Sequence, residues 1–445
     1  MARESLSHRV VSSSIALWGS TALGFVGTVV AARALGPSEY GQVALALATA
    51  TLIATLLDLT LETGVVHHGS RALVNGEHAE LRALVQGALL LDLAIGIAIS
   101  GIVIILATPI AEVASGGWLE PSLIQLAALA TLGATMDGTA GAALMLAGRP
   151  ELSAWATAAT NLARLAAIVV AVSAGTAEAV VAAYAAGTAA GGICRVFLAW
   201  RVGWRKWRAA GRRPGFKRWA RKLAPFAVHS SLSTTVVSAT DSLIQILLGR
   251  VSGPAAVALF RVARLPEMAG GLASAPIRLV MFPENARFVA SGRINDLERL
   301  LYRWSAISLA LAVPAAVAGW FALPGLITAL YGERFADAAG AARILLVAAV
   351  LLFGFPWMKT FAAVIGRPQI ASALATVLLV VALPITAVYA EHGQEAAAAG
   401  VSCGITAMTA GYLWVARRYF KRHRTERMRP VEDERLEPEH STVFP

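Results

Sequence analysis

The chain has 445 residues, of which 57% are hydrophobic and 15% charged, with a net charge of +11. Such a composition, at a mean hydropathy of +0.64, excludes an ordinary soluble protein. The two cysteines, Cys194 and Cys403, sit in apolar surroundings and suggest neither a disulfide framework nor a metal site.

Apolar segments of about 20 residues, the length that crosses a bilayer as a helix, recur along the chain. Twelve spans are predicted, near 11–32, 42–66, 83–107, 122–147, 152–174, 177–200, 223–249, 254–279, 301–322, 338–360, 370–390 and 396–416. The first is too long for a cleavable signal peptide and has no small-residue exit. Between the spans, the odd-numbered connections hold only Arg33, Arg250 and Arg334 as basic residues. The N-terminus and the even-numbered connections hold most of the others. Basic loops stay in the cytoplasm, so both termini are predicted there, as an even number of spans also requires. The expected location is the inner (cytoplasmic) membrane, as a multi-pass protein. The basic residues of 201–222 and those from Arg417 to Arg429 flank spans on the cytoplasmic side, where anionic membrane lipids are the expected partners. Topology thus accounts for the positive charge, and no nucleic acid is expected to bind. From Arg424 the tail is polar, charged and expected to be disordered.

The two halves of the chain resemble each other. Gly36-Pro37 opens the second span and Gly253-Pro254 the eighth, 217 residues later. Gly148-Arg149-Pro150 links spans four and five, and Gly366-Arg367-Pro368 links spans ten and eleven, at an offset of 218. Six spans per half give both halves the same orientation, which is a parallel repeat about an axis along the membrane normal. The expected division is an N-terminal six-helix bundle (1–200), a basic cytoplasmic linker (201–222), a C-terminal six-helix bundle (223–418) and a polar cytoplasmic tail (419–445). The fold class is all-α and polytopic, with substrate expected between the halves.

Several chemistries lack their residues. No phosphate-cradling G-x-x-x-x-G-K-[ST] occurs, nor H-E-x-x-H, nor a D-x-D carboxylate pair. His67-His68 is the one histidine pair and lacks a nearby third ligand. No cofactor or metal is therefore expected. The longest outer connections, near 108–121 and 323–337, leave no room for an external catalytic domain. A transporter is expected rather than an enzyme.

Ionisable residues inside spans are costly and face a partner or a water-filled cavity. Asp58 and Glu62 share one side of span two, Asp92 lies in span three and Asp137 in span four. Asn161 and Arg164 share a face of span five, and Asp241 and Gln245 a face of span seven. Arg261, Arg264 and Glu267 run along span eight. Arg195, Arg278 and Lys359 lie toward the cytoplasmic ends and are expected to snorkel, as is Arg343 at the other end. Asp241 is placed to lock to Arg261 or Arg264, which leaves one arginine over. A buried cation wants an anion, and the guanidinium fork matches a phosphate or pyrophosphate. The candidate substrate-binding residues are Arg261, Arg264, Arg164, Asn161 and Gln245. Asp58 and Asp241 are candidates for ion coupling or inter-helix pairing. Pro276, Pro314, Pro356 and Pro384 are expected to kink their helices.

Two stretches carry a family resemblance. The first is Ala31-Ala32-Arg33-Ala34-Leu35-Gly36-Pro37-Ser38-Glu39-Tyr40-Gly41, followed by a span ending Leu57-Asp58-Leu59-Thr60-Leu61-Glu62-Thr63-Gly64. The second is Asp241-Ser242-Leu243-Ile244-Gln245-Ile246-Leu247-Leu248-Gly249-Arg250, running into Gly253-Pro254-Ala255-Ala256-Val257-Ala258-Leu259-Phe260. Both resemble the polysaccharide biosynthesis flippases, the Wzx-type branch of the multidrug/oligosaccharidyl-lipid/polysaccharide exporter superfamily. The resemblance implies two six-helix bundles in a MATE-like V around a central cavity. It implies transfer of a polyprenyl-diphosphate-linked oligosaccharide between leaflets, with glycan polymerisation or ligation machinery as possible partners. The second half departs from the first: Ala256-Val257-Ala258 replaces Glu39-Tyr40-Gly41, and Phe260-Arg261-Val262-Ala263-Arg264 stands where an aromatic-Ser run is expected. The alternative is a cation-coupled multidrug exporter of the same superfamily, which wants a net negative cavity. A membrane polymerase or ligase, and a scaffold without transport, are the remaining classes.

Overall fold

The computed structural model describes residues 2–57, 61–207 and 216–428. Among them no strand occurs. The first half comprises α1 (Ala2–Leu57), α2 (Leu61–Val74), α3 (His78–Ile105), α4 (Ala107–Ser115), α5 (Pro121–Leu146), α6 (Pro150–Ala171) and α7 (Ala177–Lys206). The second comprises α8 (Phe216–Ala263), α9 (Leu265–Ala273), α10 (Ala275–Ala290), α11 (Ile294–Tyr331), α12 (Ala338–Gly354), α13 (Met358–Val364), α14 (Pro368–Val388) and α15 (Gln394–Met428).

Nine helical stretches among the described residues are long and apolar enough to cross a membrane. Two of them, Trp18–Leu57 and Thr235–Ala273, each cover most of two predicted spans, and α5 matches the remaining one. Each of the twelve predicted spans thus falls largely on helix among the described residues.

The double helices are interrupted at Gly36 (φ 76°, ψ 176°) and Gly253 (φ 82°, ψ −178°). That conformation is open to glycine and closed to residues with a Cβ. Proline follows each, so the next helix begins without needing a donor there. The match extends to other turns. Gly76 and Gly292, Gly116 and Gly332, Gly148 and Gly366, and Gly175 and Gly393 all have positive φ at offsets of 216 or 218. At the Gly-Arg-Pro turns even the bonds repeat: Arg149 N–H donates to Leu144 O at 2.9 Å, and Arg367 N–H to Ala362 O at 2.9 Å. These are the 6→1 bonds that satisfy orphan carbonyls at a helix end.

Each half packs on itself. In the first, α1 lies on α5, α6 and α7, and α3 and α7 on α5. In the second, α8 lies on α12, α14 and α15, and α11 on α12. The seam between halves is α1 against α8. Toward the end that carries Gly36 and Gly253 the halves share one apolar core, joining Leu45, Leu123 and Ile124 to Ile244, Phe260 and Phe335. Toward the opposite end, which carries the termini, the cores are separate. One gathers Leu81, Leu84 and Leu144, and the other Met281, Leu297 and Phe361. Three side chains bond across the shared end. Arg33 donates to Ala329 O (3.3 Å), Trp118 Nε1 to Gly249 O (3.0 Å) and Arg250 to Val113 O (2.7 Å).

Some expectations change in detail. The basic segment 201–222 is helical at both described ends, because α7 runs to Lys206 and α8 begins at Phe216. The connection at 108–121 is largely α4, and α11 extends to Tyr331, so these links are shorter than the sequence implied. Pro276 stands at the second position of α10, just past the α9–α10 break, and Pro356 in the break before α13, whereas Pro314 and Pro384 lie inside uninterrupted helices.

At the seam, Gly41 is so close to the backbone of Pro254 that an added Cβ collides with its carbonyl. Gly41→Val is expected to cost about 1–3 kcal/mol by overpacking. Thermal unfolding in detergent should show a lowered Tm for it but not for Gly101→Val, where the side chain meets open space.

Candidate functional site

Two adjoining cavities lie on the seam and share Thr28, Leu47, Tyr184 and Arg261 in their walls. The smaller, about 130 Å³, is bounded by α1, α6, α7 and the Arg261 side of α8. The larger, about 350 Å³, is bounded by α1, α8, the start of α9 and Tyr331 of α11.

The sequence-predicted residues converge here. Asn161, Arg164 and Arg261 line the smaller cavity. Asp241, Gln245, Arg261 and Arg264 line the larger. Asp58 lies outside the described residues. The convergence follows from helical spacing: Asn161 and Arg164 stand three apart on α6, Asp241 and Gln245 four apart on α8, and Arg264 follows Arg261 by three at the α8–α9 break.

The charges are not equivalent. Arg264 forms an ion pair with Asp241 and a bidentate pair with Glu267 (Nε to Oε2 2.8 Å, Nη2 to Oε1 3.1 Å). It is therefore compensated twice. Gln245, 4% exposed, donates from Nε2 to Asp241 Oδ2 at 3.1 Å, and its buried Oε1 has no partner among the described residues. Asn161 spends its amide on packing, donating to Ser20 O (3.0 Å) and Ser20 Oγ (2.7 Å), which ties α6 to α1.

Arg164 and Arg261 differ from Arg264. No described carboxylate lies within ion-pair distance of either. Arg164 donates to Thr188 Oγ1 at 3.0 Å and lies over the Tyr184 ring at 4.2 Å, while its buried Nε is left without a described partner. Aromatic faces attract guanidinium but do not neutralise it. With Arg264 offset by Asp241 and Glu267, the cations left in the described lining are Arg164 and Arg261. This is a net positive enclosure, and a low dielectric makes its attraction for an anion strong.

Tyr184 and Tyr40, in the same walls, were not among the predicted site residues. A trace of Tyr184 was visible: it is the lone aromatic in an alanine-rich stretch, Ala182-Ala183-Tyr184-Ala185-Ala186. Arg195 corrects an expectation. It does not snorkel. It is 5% exposed, paired with Asp137 of α5, and bonded to Thr157 Oγ1 of α6 at 2.6 Å. Arg343 stays at the rim, donating to Trp320 O at 3.0 Å. Arg278 and Lys359 line a third cavity, where Lys359 stays exposed.

A sequence model described as polysaccharide biosynthesis protein matches residues 9–289. The chain belongs to the polysaccharide biosynthesis protein family. Solved structures share its fold. An inward-facing multidrug resistance MATE family transporter of the MOP superfamily superposes with a TM-score of 0.75 at 17% identity, over 91% of this chain and 95% of that one. Lipid II flippase MurJ, in an inward closed conformation, gives 0.67 at 11% identity, over 93% and 90%. A MOP superfamily transporter from Pyrococcus furiosus, described as having a binding pocket of reverse polarity, gives 0.64 at 16%, over 94% and 96%. No curated protein matches the sequence. This family member is accordingly an all-helical protein among its described residues, with nine stretches long and apolar enough to cross a membrane and the fold of MOP-superfamily transporters.

The Asp241–Arg264 pair joins two spans across the Gly253 interruption. Asp241→Ala and Arg264→Ala are each expected to lower stability. The double variant should lose less than the sum, with a coupling energy of about 0.5–3 kcal/mol. Thermal unfolding of the four proteins in detergent measures it.

Proposed function

We propose that this protein is a flippase that moves a polyprenyl-diphosphate-linked oligosaccharide across the inner membrane for cell-surface polysaccharide synthesis. One observation carries the reading: the cavity between the halves is lined by Arg164 and Arg261 with no described carboxylate in ion-pair range, and its described lining is net positive. A cavity of that sign favours an anionic head group over the cationic substrate a multidrug exporter takes. The family and the likeness to a lipid II flippase support the same substrate class.

The physics of the task fits these parts. A polyprenyl tail dissolves in lipid, whereas diphosphate and sugars do not. A guanidinium offers the phosphate a planar donor fork that is charged at every physiological pH. The protein acts as a transporter and not as an enzyme. In the proposed orientation the termini are cytoplasmic and the Gly36–Gly253 end faces outward. The shared core and the three cross-half bonds then close the outer side, and the separate cores at the other end leave the cavity accessible from the cytoplasm. This is the loading state. Rocking of the six-helix units 1–200 and 223–418 about the seam exchanges access. The basic segment 201–222 and the tail beyond 418 rest against anionic lipid. A polymerising or ligating machinery takes the product outside.

The test is a deletion strain. Lipid-linked glycan should accumulate in the inner leaflet and be cleared by the wild-type gene but not by Arg164→Ala/Arg261→Ala at equal membrane abundance. Absence of accumulation in the deletion strain sinks the flippase reading and favours the multidrug exporter.

A further inference from the structure

A third cavity, about 360 Å³, lies wholly within the second half, between α8, α9, α10, α12–α13, α14 and α15. Its walls carry Arg278, Lys359 and Glu267 among apolar side chains such as Leu352, Phe355 and Met408. Glu267 is already held by Arg264, which belongs to the central cavity. Arg278 donates one nitrogen to Ser274 Oγ and to Gly271 O (3.4 Å), carbonyl and hydroxyl oxygens that cancel no charge. No described carboxylate lies within ion-pair distance of Arg278 or Lys359.

Two interrupted helices deliver these cations. The α9–α10 boundary at Ser274 precedes Arg278, and the break between Gly354 and Met358 precedes Lys359. Trp357 anchors the latter by donating from Nε1 to Ser305 Oγ at 2.9 Å. Breaks within membrane helices are tolerated where they line a cavity. Both breaks here meet the same one.

We propose that this chamber is a second anion station, which takes the phosphate or diphosphate ester of a lipid before it reaches the central cavity. The inference rests on the flippase reading. Three features of the chamber support it. The chamber sets two cations against one carboxylate, itself shared with Arg264, among apolar walls, which suits a phosphate joined to a hydrocarbon chain. Arg261 lines the central cavities and Arg278 the chamber, whose lining has no residue in common with theirs. The ion-paired triad Asp241–Arg264–Glu267 touches both cavities, since Glu267 lines the chamber while Arg264 and Asp241 line the central cavity. The triad is thus shared by the two stations, and Lys359 and Arg278 lie on the side toward the terminus-bearing end.

The experiment titrates the full-length protein, in nanodiscs of phosphatidylcholine, with farnesyl diphosphate by calorimetry. Wild type should bind two equivalents. Arg278→Gln/Lys359→Gln should lose one, weakened at least tenfold, while retaining the one that Arg164→Gln/Arg261→Gln loses. The charge-keeping Arg278→Lys/Lys359→Arg should retain both, which separates charge from folding damage. Pyrophosphate and phosphatidylglycerol distinguish the source. A second equivalent bound tenfold more weakly as pyrophosphate assigns the station to a lipid-borne phosphate. Equal affinity assigns it to the free anion. Displacement by phosphatidylglycerol assigns it to bulk anionic lipid. Two unaltered equivalents in Arg278→Gln/Lys359→Gln, or one equivalent in wild type that this variant keeps, or none at all, overturns the station. Binding is read without any glycan. A strain that fails to accumulate lipid-linked glycan therefore removes the flippase reading while leaving this result legible, and the converse holds equally.

Discussion

A backbone that only glycine adopts, placed twice, organises this molecule. At Gly36 and Gly253 the chain takes a positive φ with extended ψ, and proline follows. Two long helices are thereby each divided into a pair of spans, and those pairs form the seam between the halves. The close approach of Gly41 to Pro254 depends on the first of these turns, as does the position of Tyr40 in the cavity wall. On the far side of the second, Arg261 reaches the cavity and Arg264 returns to Asp241 of the preceding span. Access, enclosure and charge placement all descend from one local conformation and its repeat.

Charge compensation then sorts the buried ions by use. An ion inside an apolar bundle is tolerated when a partner offsets the lost hydration. Arg195 has Asp137 and a threonine hydroxyl, and Arg264 has two carboxylates. Each cross-links helices. Arg164 and Arg261 have hydroxyl or aromatic neighbours at best, and they border empty volume. What separates the two groups is whether the chain itself supplies the cation's countercharge.

Much of this was legible in the residues. Span length, the asymmetry of Arg33, Arg250 and Arg334 against the basic connections, and the Gly-Pro and Gly-Arg-Pro landmarks report local chemistry, which sequence carries directly. Helical spacing placed Arg261 with Arg264, and Asp241 with Gln245, on shared faces, and the lock that leaves one arginine over is the arrangement found. What failed was neighbour choice between helices distant in sequence. Arg195 looked like a snorkelling residue because its partner Asp137 is on α5, 58 residues away. Likewise Arg278 and Lys359 are drawn together only by the packing of α10 and α13 around a common void. Spacing along one helix cannot announce which other helix it faces, and Tyr184 went unassigned for the same reason.

The three bonds that cross the closed end all terminate on main-chain carbonyls, at Ala329, Gly249 and Val113. A carbonyl oxygen is present whatever side chain its residue carries, so half of this latch is immune to substitution at the acceptor positions. Each such bond exchanges with water for a net of about 0.5–1.5 kcal/mol. Three together hold a few kcal/mol, and two of them lie at exposed positions where water stands ready to replace them. Beside the shared apolar core, this polar part of the contact is durable on its acceptor side and can be tuned through the donors Arg33, Trp118 and Arg250.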